Sequence, residues 1–106
     1  MSVHSKLGNG FQEVIYQRAL AIEFKEHKLD YVRELEMPIY YKEQEIGSRR
    51  VDFFVNGVIM VELKAISQLD KVQICQTLNY LEAYKMKIGL LINFGEARLK
   101  FHRLAN

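Results

Sequence analysis

The chain has 106 residues, of which 49% are hydrophobic and 26% are charged, with 15 basic against 13 acidic side chains. This length suits one domain with one core, and a net charge of +2 is too small to indicate nucleic-acid binding without a local basic surface. The one cysteine, Cys75, excludes an internal disulfide and a multi-cysteine zinc site, and we expect it in the core. No apolar run approaches the roughly 20 residues that span a bilayer, and no signal peptide opens the chain, so we expect a cytoplasmic protein with no membrane partner.

The apolar and turn-forming residues predict seven elements in the order αβββαββ. They are a helix at Phe11–Lys28, strands at Leu35–Lys42, Ser48–Val55 and Val58–Ala65, a helix at Ser67–Tyr84, and strands at Lys87–Phe94 and Ala97–Leu104. This order predicts a single α/β (α+β) domain over residues 1–106, with a mixed sheet flanked by helices. The second helix would cross between two parallel strands.

The first predicted helix follows a polar stretch that ends in Gly8-Asn9-Gly10, and Asn9 or Gly10 is its expected cap. Its apolar stripe would be Phe11, Ile15, Ala19 and Ile22. Glu13 falls in the first turn, where a carboxylate suits the helix dipole. The second helix has Ser67 as its expected cap and apolar residues on most sides, which predicts packing on more than one side.

Three charged residues interrupt the apolar strands on either side of Asn56-Gly57. They are Asp52 in the first strand and Glu62 and Lys64 in the second. Such groups are rarely buried without a partner or a metal, because removing them from water is costly. Glu62 and Lys64 share one face of their strand, since they are two residues apart.

Whether Asp52 reaches that face depends on the hairpin register. A two-residue turn at Asn56-Gly57 would put Asp52 and Glu62 on opposite faces. A three-residue loop, with Phe54 opposite Val58, would set Asp52 diagonal to Glu62 on one face. A shared site therefore predicts a hairpin that is not a simple two-residue turn, or one that carries a bulge.

This pattern can serve a magnesium ion. Mg²⁺ takes hard oxygen ligands, and Asp52, Glu62 and the backbone carbonyl of Leu63 would supply them. Lys64 would position or deprotonate the attacking water and stabilise charge on a phosphate. A salt bridge of Lys64 with Glu62 or Asp52 on a solvated sheet face explains the spacing at least as well.

Three motifs favour the metal. Gly-x-x-Glu-x-x-Tyr runs from Gly10 to Tyr16, Ile-Gly-Ser-Arg-Arg-Val-Asp-Phe from 46 to 53, and Val-Glu-Leu-Lys-Ala from 61 to 65. Together they resemble the GxxExxY protein family, which is placed in the PD-(D/E)XK nuclease superfamily. The resemblance implies a restriction-endonuclease-like core. This chain departs from the pattern at Asn9 and at Val51, where proline is usual, and in having few residues before Gly8.

The resemblance also implies roles for individual residues. The metal-binding pair falls on Asp52 and Glu62, the catalytic lysine on Lys64, and the acidic residue of the first helix on Glu13, which would join the metal shell or hold a ligand water. A Gln-x-x-x-Tyr motif falls on Gln76 and Tyr80. Gln76 would orient the lysine or the substrate.

Three further residues are expected to support the site. Arg50 shares the face of Asp52 by alternation and would meet a phosphate, whereas Arg49 would face solvent or an acidic neighbour. Tyr16, one turn after Glu13, would either fix the site through a hydrogen bond or simply pack.

The sequence thus predicts a phosphodiesterase that uses Mg²⁺ or Mn²⁺ to hydrolyse DNA. The alternative is a catalytically silent module of the same fold that binds nucleic acid or a protein. A chain this small offers few surfaces, so a homodimer or a partner protein would complete its grip on the substrate.

Overall fold

The computed structural model describes residues 2–105, and this part of the chain forms a mixed α+β fold, which confirms the predicted class. The elements are α1 (Ser2–Leu7), α2 (Glu13–Glu26), β1 (Tyr31–Tyr41), β2 (Gln44–Val55), β3 (Ile59–Lys64), α3 (Lys71–Ala83), β4 (Ile88–Asn93) and β5 (Lys100–Ala105). Seven follow the predicted order, and α1 is an addition in the stretch expected to be irregular. Within residues 2–105 no helix is long and apolar enough to cross a membrane.

The five strands form one sheet in the order β1-β2-β3-β4-β5. β3 and β4 are parallel, and the other three pairings are antiparallel. Parallel neighbours need a long crossover, and α3 provides it between β3 and β4. The carboxyl ends of β3 and β4 therefore meet at one end of the sheet.

The two long helices cover opposite faces of the sheet. On one face, Tyr16 and Leu20 of α2 pack against Phe53 and Val61. On the other, Leu81 of α3 packs against Met60, the strand neighbour of Val61. Successive strand residues point to opposite faces, so the two cores are separated by the sheet itself.

The β2–β3 hairpin has a three-residue loop, so the prediction that it is not a simple two-residue turn is confirmed. The specific pairing was wrong: Phe54 pairs with Met60, not with Val58, and Val55 pairs with Ile59. Asn56 and Gly57 have left-handed φ values of 53° and 70°, and the Val58 N–H donates to the Val55 carbonyl at 3.1 Å. The tight turn thus lies at Asn56-Gly57, and Val58 is an extra residue before the ladder begins at Ile59. The backbone N–H of Asn56 also donates to the Asp30 carbonyl at 2.7 Å.

β2 breaks its alternation of faces at Asp52. Phe53 belongs to the α2 core, but Val51, two residues earlier, belongs to the α3 core with Met60. Across from the break, Glu34 of β1 has a left-handed φ of 55°, and the Glu34–Asp52 pair is missing from a register that is the same on both sides of it. The strand therefore twists at Asp52, and the residues before it point to the side opposite to that predicted by simple alternation.

Several predicted details of the helices were wrong. The buried stripe of α2 is Tyr16, Gln17, Leu20 and Ala21, whereas Phe11 and Ile22 of the predicted stripe are exposed. The helix is capped by Gln12, without a side-chain hydrogen bond, rather than by Asn9 or Gly10. Because the sheet covers only one side of the helix, the helix rotates to bury its largest ring, and Gln17 is buried with it.

The second predicted helix begins later than expected. Asp70, not Ser67, is the N-cap of α3, and its side chain accepts from the backbone N–H of Val72 at 2.9 Å. Cys75 is exposed rather than in the core, and Val72 is 59% exposed. α3 packs on the sheet along one side only, so its remaining apolar residues face outward.

Candidate functional site

Asp52 joins three elements at the twist in β2. Its Oδ1 accepts a hydrogen bond from Gln17 Nε2 of α2 at 2.9 Å, and its Oδ2 accepts one from the Leu63 backbone N–H of β3 at 2.8 Å. The last residue pair between β2 and β3 is Phe53 with Val61. Beyond it, the Asp52 carboxylate rather than a backbone carbonyl accepts the hydrogen bond from β3. A carboxylate has about four lone-pair sites, and Asp52 keeps oxygen capacity for a further ligand.

Glu62 is the most deeply buried acid of the site, with 2% of its surface exposed. Burial, together with the charge of Asp52, raises the pKa of its carboxyl to about 7 against the opposing effect of the Arg49 guanidinium. Arg49 donates to Oε2, while Oε1 is buried and has no hydrogen-bond partner among the described residues. One oxygen is thus paired and the other is an acceptor without a donor.

Arg49 is held beside Glu62 by Tyr80 of α3. Its guanidinium carbon lies 4.2 Å from the centre of the Tyr80 ring, a cation–π contact. Its Nε is buried and makes no hydrogen bond within the described part of the chain. The sequence predicted solvent or an acidic neighbour for Arg49, and that neighbour is Glu62 itself, because the twist in β2 turns Arg49 toward the Met60 face.

Glu13 and Lys64 border the same region. Glu13 is the first residue of α2, and its side chain is partly exposed. Partial burial of its carboxyl raises its pKa, and the charge of Asp52 raises it too. The charges of Lys64 and Arg49 lower it. The charge of Lys64 also acts on Glu62. In residues 2–105 Lys64 makes no ion pair, so the predicted alternative, a salt bridge to Glu62 or Asp52, is not what the structure shows.

Tyr16 fixes the turn that precedes α2. It is fully buried, its hydroxyl donates to the Gly8 carbonyl at 2.6 Å, and it accepts from the Phe11 backbone N–H at 3.1 Å. Its ring stacks on Phe94 with centroids 4.6 Å apart. The tyrosine therefore anchors the start of α2, and with it Glu13, to the core beneath the site.

The segment after Lys64 is held by the end of β4. The Phe94 backbone N–H donates to the Lys64 carbonyl at 2.8 Å. The buried Asn93 side chain accepts from the backbone N–H of Ile66 at 3.0 Å and donates to its carbonyl at 2.9 Å. The N–H and C=O of one strand residue point to the same edge, so the carbonyl of Leu63, whose N–H bonds Asp52, also points toward Asp52.

Two predicted residues lie apart from this cluster. Gln76 is exposed on α3, one turn before Tyr80. Its side chain makes no hydrogen bond in the part of the chain that is described. Arg50 lies 3.5 Å from the Glu34 carboxylate, and both side chains are largely exposed. Arg49 rather than Arg50 reaches the site, which corrects the face assigned by alternation.

Gln17 and Arg49 are the site residues that the sequence did not single out. Gln17 is 5% exposed, and its Oε1 is buried without a partner among residues 2–105. Its position four residues after Glu13 places both on one side of α2, a signal that was present in the sequence. For Arg49 no local signal existed, because its direction depends on the twist at Asp52.

The described residues contain no group of three or more His, Cys, Asp or Glu side chains placed to hold a metal ion. The charge of Asp52 interacts with the carboxyl groups of both Glu62 and Glu13. Magnesium sites in proteins often use only one or two carboxylates and fill the remaining positions with water and substrate phosphate.

The chain was compared with protein families, curated proteins and solved structures. The family model of the PD-(D/E)XK nuclease superfamily matches residues 1–104. A search of curated proteins gave no significant match. Among solved structures, the crystal structure of SSO0001 superposes with a TM-score of 0.63 at 18% identity, over 87% of this chain and 50% of that one. At this identity the likeness concerns the fold, and the chain spans half the length of that structure.

Proposed function

The chain belongs to the PD-(D/E)XK nuclease superfamily, and from that premise we propose that it hydrolyses DNA phosphodiester bonds with Mg²⁺ or Mn²⁺. Within the superfamily we assign it to the GxxExxY group, on its Gly-x-x-Glu-x-x-Tyr motif. Asp52 and Glu62 would hold the metal, with the Leu63 carbonyl as a further oxygen. The domain comprises residues 1–106.

One observation carries the proposal: two buried oxygen acceptors without donors flank Asp52. They are Oε1 of Glu62 and Oε1 of Gln17. A buried acceptor with nothing to accept costs free energy, and native proteins contain few of them. A divalent cation would satisfy such oxygens, and the donor set of carboxylate, amide and carbonyl oxygen suits Mg²⁺. The residues present therefore fit the metal that the superfamily implies.

When bound, the metal would supply Lewis acidity at a phosphodiester oxygen. The other tasks fall to this chain's own side chains. Lys64, with no ion-pair partner in residues 2–105, would stabilise negative charge on the phosphate and orient the attacking water. Glu13 would hold a water at the mouth of the site, and Gln76, exposed on α3, would contact the substrate.

The test is cleavage of DNA by the purified protein. We expect nicking or degradation of plasmid, linear duplex or single-stranded DNA with Mg²⁺ or Mn²⁺ and none in EDTA. Glu62→Gln should lower the rate about 100-fold or more, because it removes a charged ligand without changing the shape of the site. Glu82→Gln, an exposed change on α3, is the matched control and should leave the rate unchanged.

Wild-type protein that cleaves none of these substrates with either metal would contradict the proposal. Cleavage that persists at the same rate in Glu62→Gln would contradict it as well, since the activity would then come from elsewhere.

A second function is favoured by the Arg49 contact. Arg49 occupies Oε2 of Glu62, which leaves one oxygen of that carboxylate for a metal. This arrangement suits a module that keeps the fold and binds nucleic acid or a protein without turnover. Calorimetric titration with Mn²⁺ separates the two functions: heat of binding that disappears in Glu62→Gln supports the nuclease, and its absence in the wild type supports the silent module.

The small size of the chain bears on its partners. The structure measures about 45 × 31 × 22 Å, which leaves little surface for DNA beside the candidate site. We therefore propose that a second copy or a partner protein completes the binding surface. Light scattering of the protein with and without a DNA duplex tests for the second copy.

A further inference from the structure

The last strand, β5, forms one border of the sheet. It pairs with β4 only, so its other side has no strand beside it in the part of the chain that is described. We use the name β5 edge for Arg98, Lys100, Phe101, His102 and Arg103. All five are exposed.

The β5 edge holds the chain's excess positive charge. Residues 97–105 contain three of the 15 basic residues and none of the 13 acidic ones, so the rest of the chain carries 12 against 13. None of its basic side chains makes an ion pair or a hydrogen bond with another residue of the 2–105 range. The net charge of the whole chain is small, but the β5 edge is a local surface with positive charge only.

The sheet register aligns this edge with the candidate site. Lys64 of β3 pairs with Asn93 of β4, which pairs with Lys100 of β5. Residues in one row share a face of the sheet, and two strand spacings amount to about 10 Å. A DNA strand that lies over Lys64 and continues across the sheet would therefore pass over Lys100 and arrive at the β5 edge, from which Phe101 and Arg103 point to the other face of the sheet.

Charges on an edge strand also discourage pairing with other sheets. Charges of either sign prevent such pairing, whereas a large exposed apolar side chain promotes it. Phe101 is 64% exposed in the middle of the β5 edge. Lys100 points to one face and Phe101 and Arg103 point to the other, so basic side chains stand on both sides of the edge beside an exposed ring, and a nucleic-acid backbone that follows the edge can contact both sides.

We propose that the β5 edge binds the phosphodiester backbone of DNA next to the bond placed in the candidate site. The identity of the ligand rests on the proposed function, but binding here requires neither a metal nor turnover. The β5 edge thus extends the substrate surface along the sheet and away from Asp52 and Glu62.

The test is the salt dependence of DNA binding, measured in EDTA so that no cleavage occurs. Fluorescence anisotropy with a labelled duplex gives Kd at KCl concentrations from about 25 to about 150 mM, a sixfold range. Each phosphate contact changes the slope of log Kd against log salt by about 0.9. The triple variant R98Q/K100Q/R103Q should lower this slope by about 2 to 3. The control K6Q/R18Q/K25Q removes three exposed charges from α1 and α2 and should keep the wild-type slope.

Equal loss of slope in both variants would overturn the proposal, because general charge would then explain binding. An unchanged slope in the β5 variant, or no wild-type binding at 25 mM KCl, would overturn it too. If the triple variant fails to fold, Lys100→Gln alone should lower the slope by about 0.9. A protein without DNA cleavage but with the β5 effect would refute the proposed turnover only, and the opposite result would refute the β5 surface only.

Discussion

Glu62 shows how strongly one residue of this site depends on its surroundings. Its carboxyl is almost fully buried, one oxygen is bonded to Arg49, and the other has no donor within the described residues. Burial of a charge is tolerated only with partners, and here the partners are incomplete. The neutral side chain of Gln17 is also half-satisfied. Its amide nitrogen donates a hydrogen bond to Asp52, and its amide oxygen accepts none within residues 2–105. Both residues are therefore ready to accept a cation.

The pKa of Glu62 predicts how stability changes with pH in the metal-free protein. The pKa of Glu62 is about 7 in the folded state against an ordinary value of 4.5, so between these pH values the folded state binds more protons than the unfolded state. Stability is then greatest below the unfolded pKa and falls as the pH rises through 7. The full loss is about 3 kcal/mol at most, at 1.36 kcal/mol per pKa unit.

Urea unfolding in EDTA at several pH values from 5 to 8.5 measures this effect. Glu62→Gln cannot titrate, so the free energy of unfolding of the wild type should decline relative to that of the variant as the pH rises. Parallel profiles for the two proteins, or a wild type that gains relative stability at high pH, would show that burial does not govern this carboxyl.

At the scale of elements, the site is built where regular pairing stops. The β2–β3 ladder ends at Phe53, and the Asp52 side chain bonds the backbone of Leu63 in place of the next strand contact. At the end of β4, Asn93 does the same for Ile66, with bonds to both its N–H and its carbonyl. Side chains thus replace the sheet's own hydrogen bonds on both sides of Lys64, and they fix its backbone although its ammonium group makes no ion pair within residues 2–105.

A substitution at Gly95 tests how closely the backbone after β4 packs on the backbone of Ile66. A Cβ at this position would lie 2.2 Å from the Ile66 carbonyl oxygen and 2.4 Å from the Ile66 nitrogen, and both backbone groups of Ile66 are fixed by hydrogen bonds to Asn93. Gly95→Ala should cost about 3 kcal/mol or more in urea unfolding, the upper range for overpacking. Gly47→Ala is the control, since nothing lies within 4 Å of its Cβ, and it should change stability by about 0.5 kcal/mol or less. Equal costs for the two changes would contradict the crowding.

At the scale of the whole molecule, the candidate site links two cores. The α2 core and the α3 core lie on opposite faces of the sheet, and the side-chain partners of Asp52 and Glu62 come from one side each. Gln17 approaches from α2, and Arg49 is held by Tyr80 of α3. A ligand bound between them would therefore stabilise the packing of both layers.

This predicts that metal binding stabilises the folded chain. A ligand present at ten times its Kd adds about 1.4 kcal/mol, which raises Tm by several degrees in a domain of this size. Mn²⁺ or Mg²⁺ should raise the Tm of the wild type and of Glu82→Gln but not that of Glu62→Gln, as followed by circular dichroism. Zinc is avoided because Cys75 is exposed and would bind it. A wild-type Tm that does not respond to either metal would argue for the silent module.

The sequence by itself determined the order of the elements, the mixed sheet and the candidates Asp52, Glu62 and Lys64, because periodicity and buried charge are local properties of the chain. Only the tertiary structure decided which side chains join them. Gln17 is buried because of how α2 rotates on the sheet. Arg49 reaches Glu62 because β2 twists at Asp52, opposite the left-handed Glu34 of β1. Such directions depend on contacts between residues far apart in the chain, and no repeat of two or of 3.6 residues encodes them.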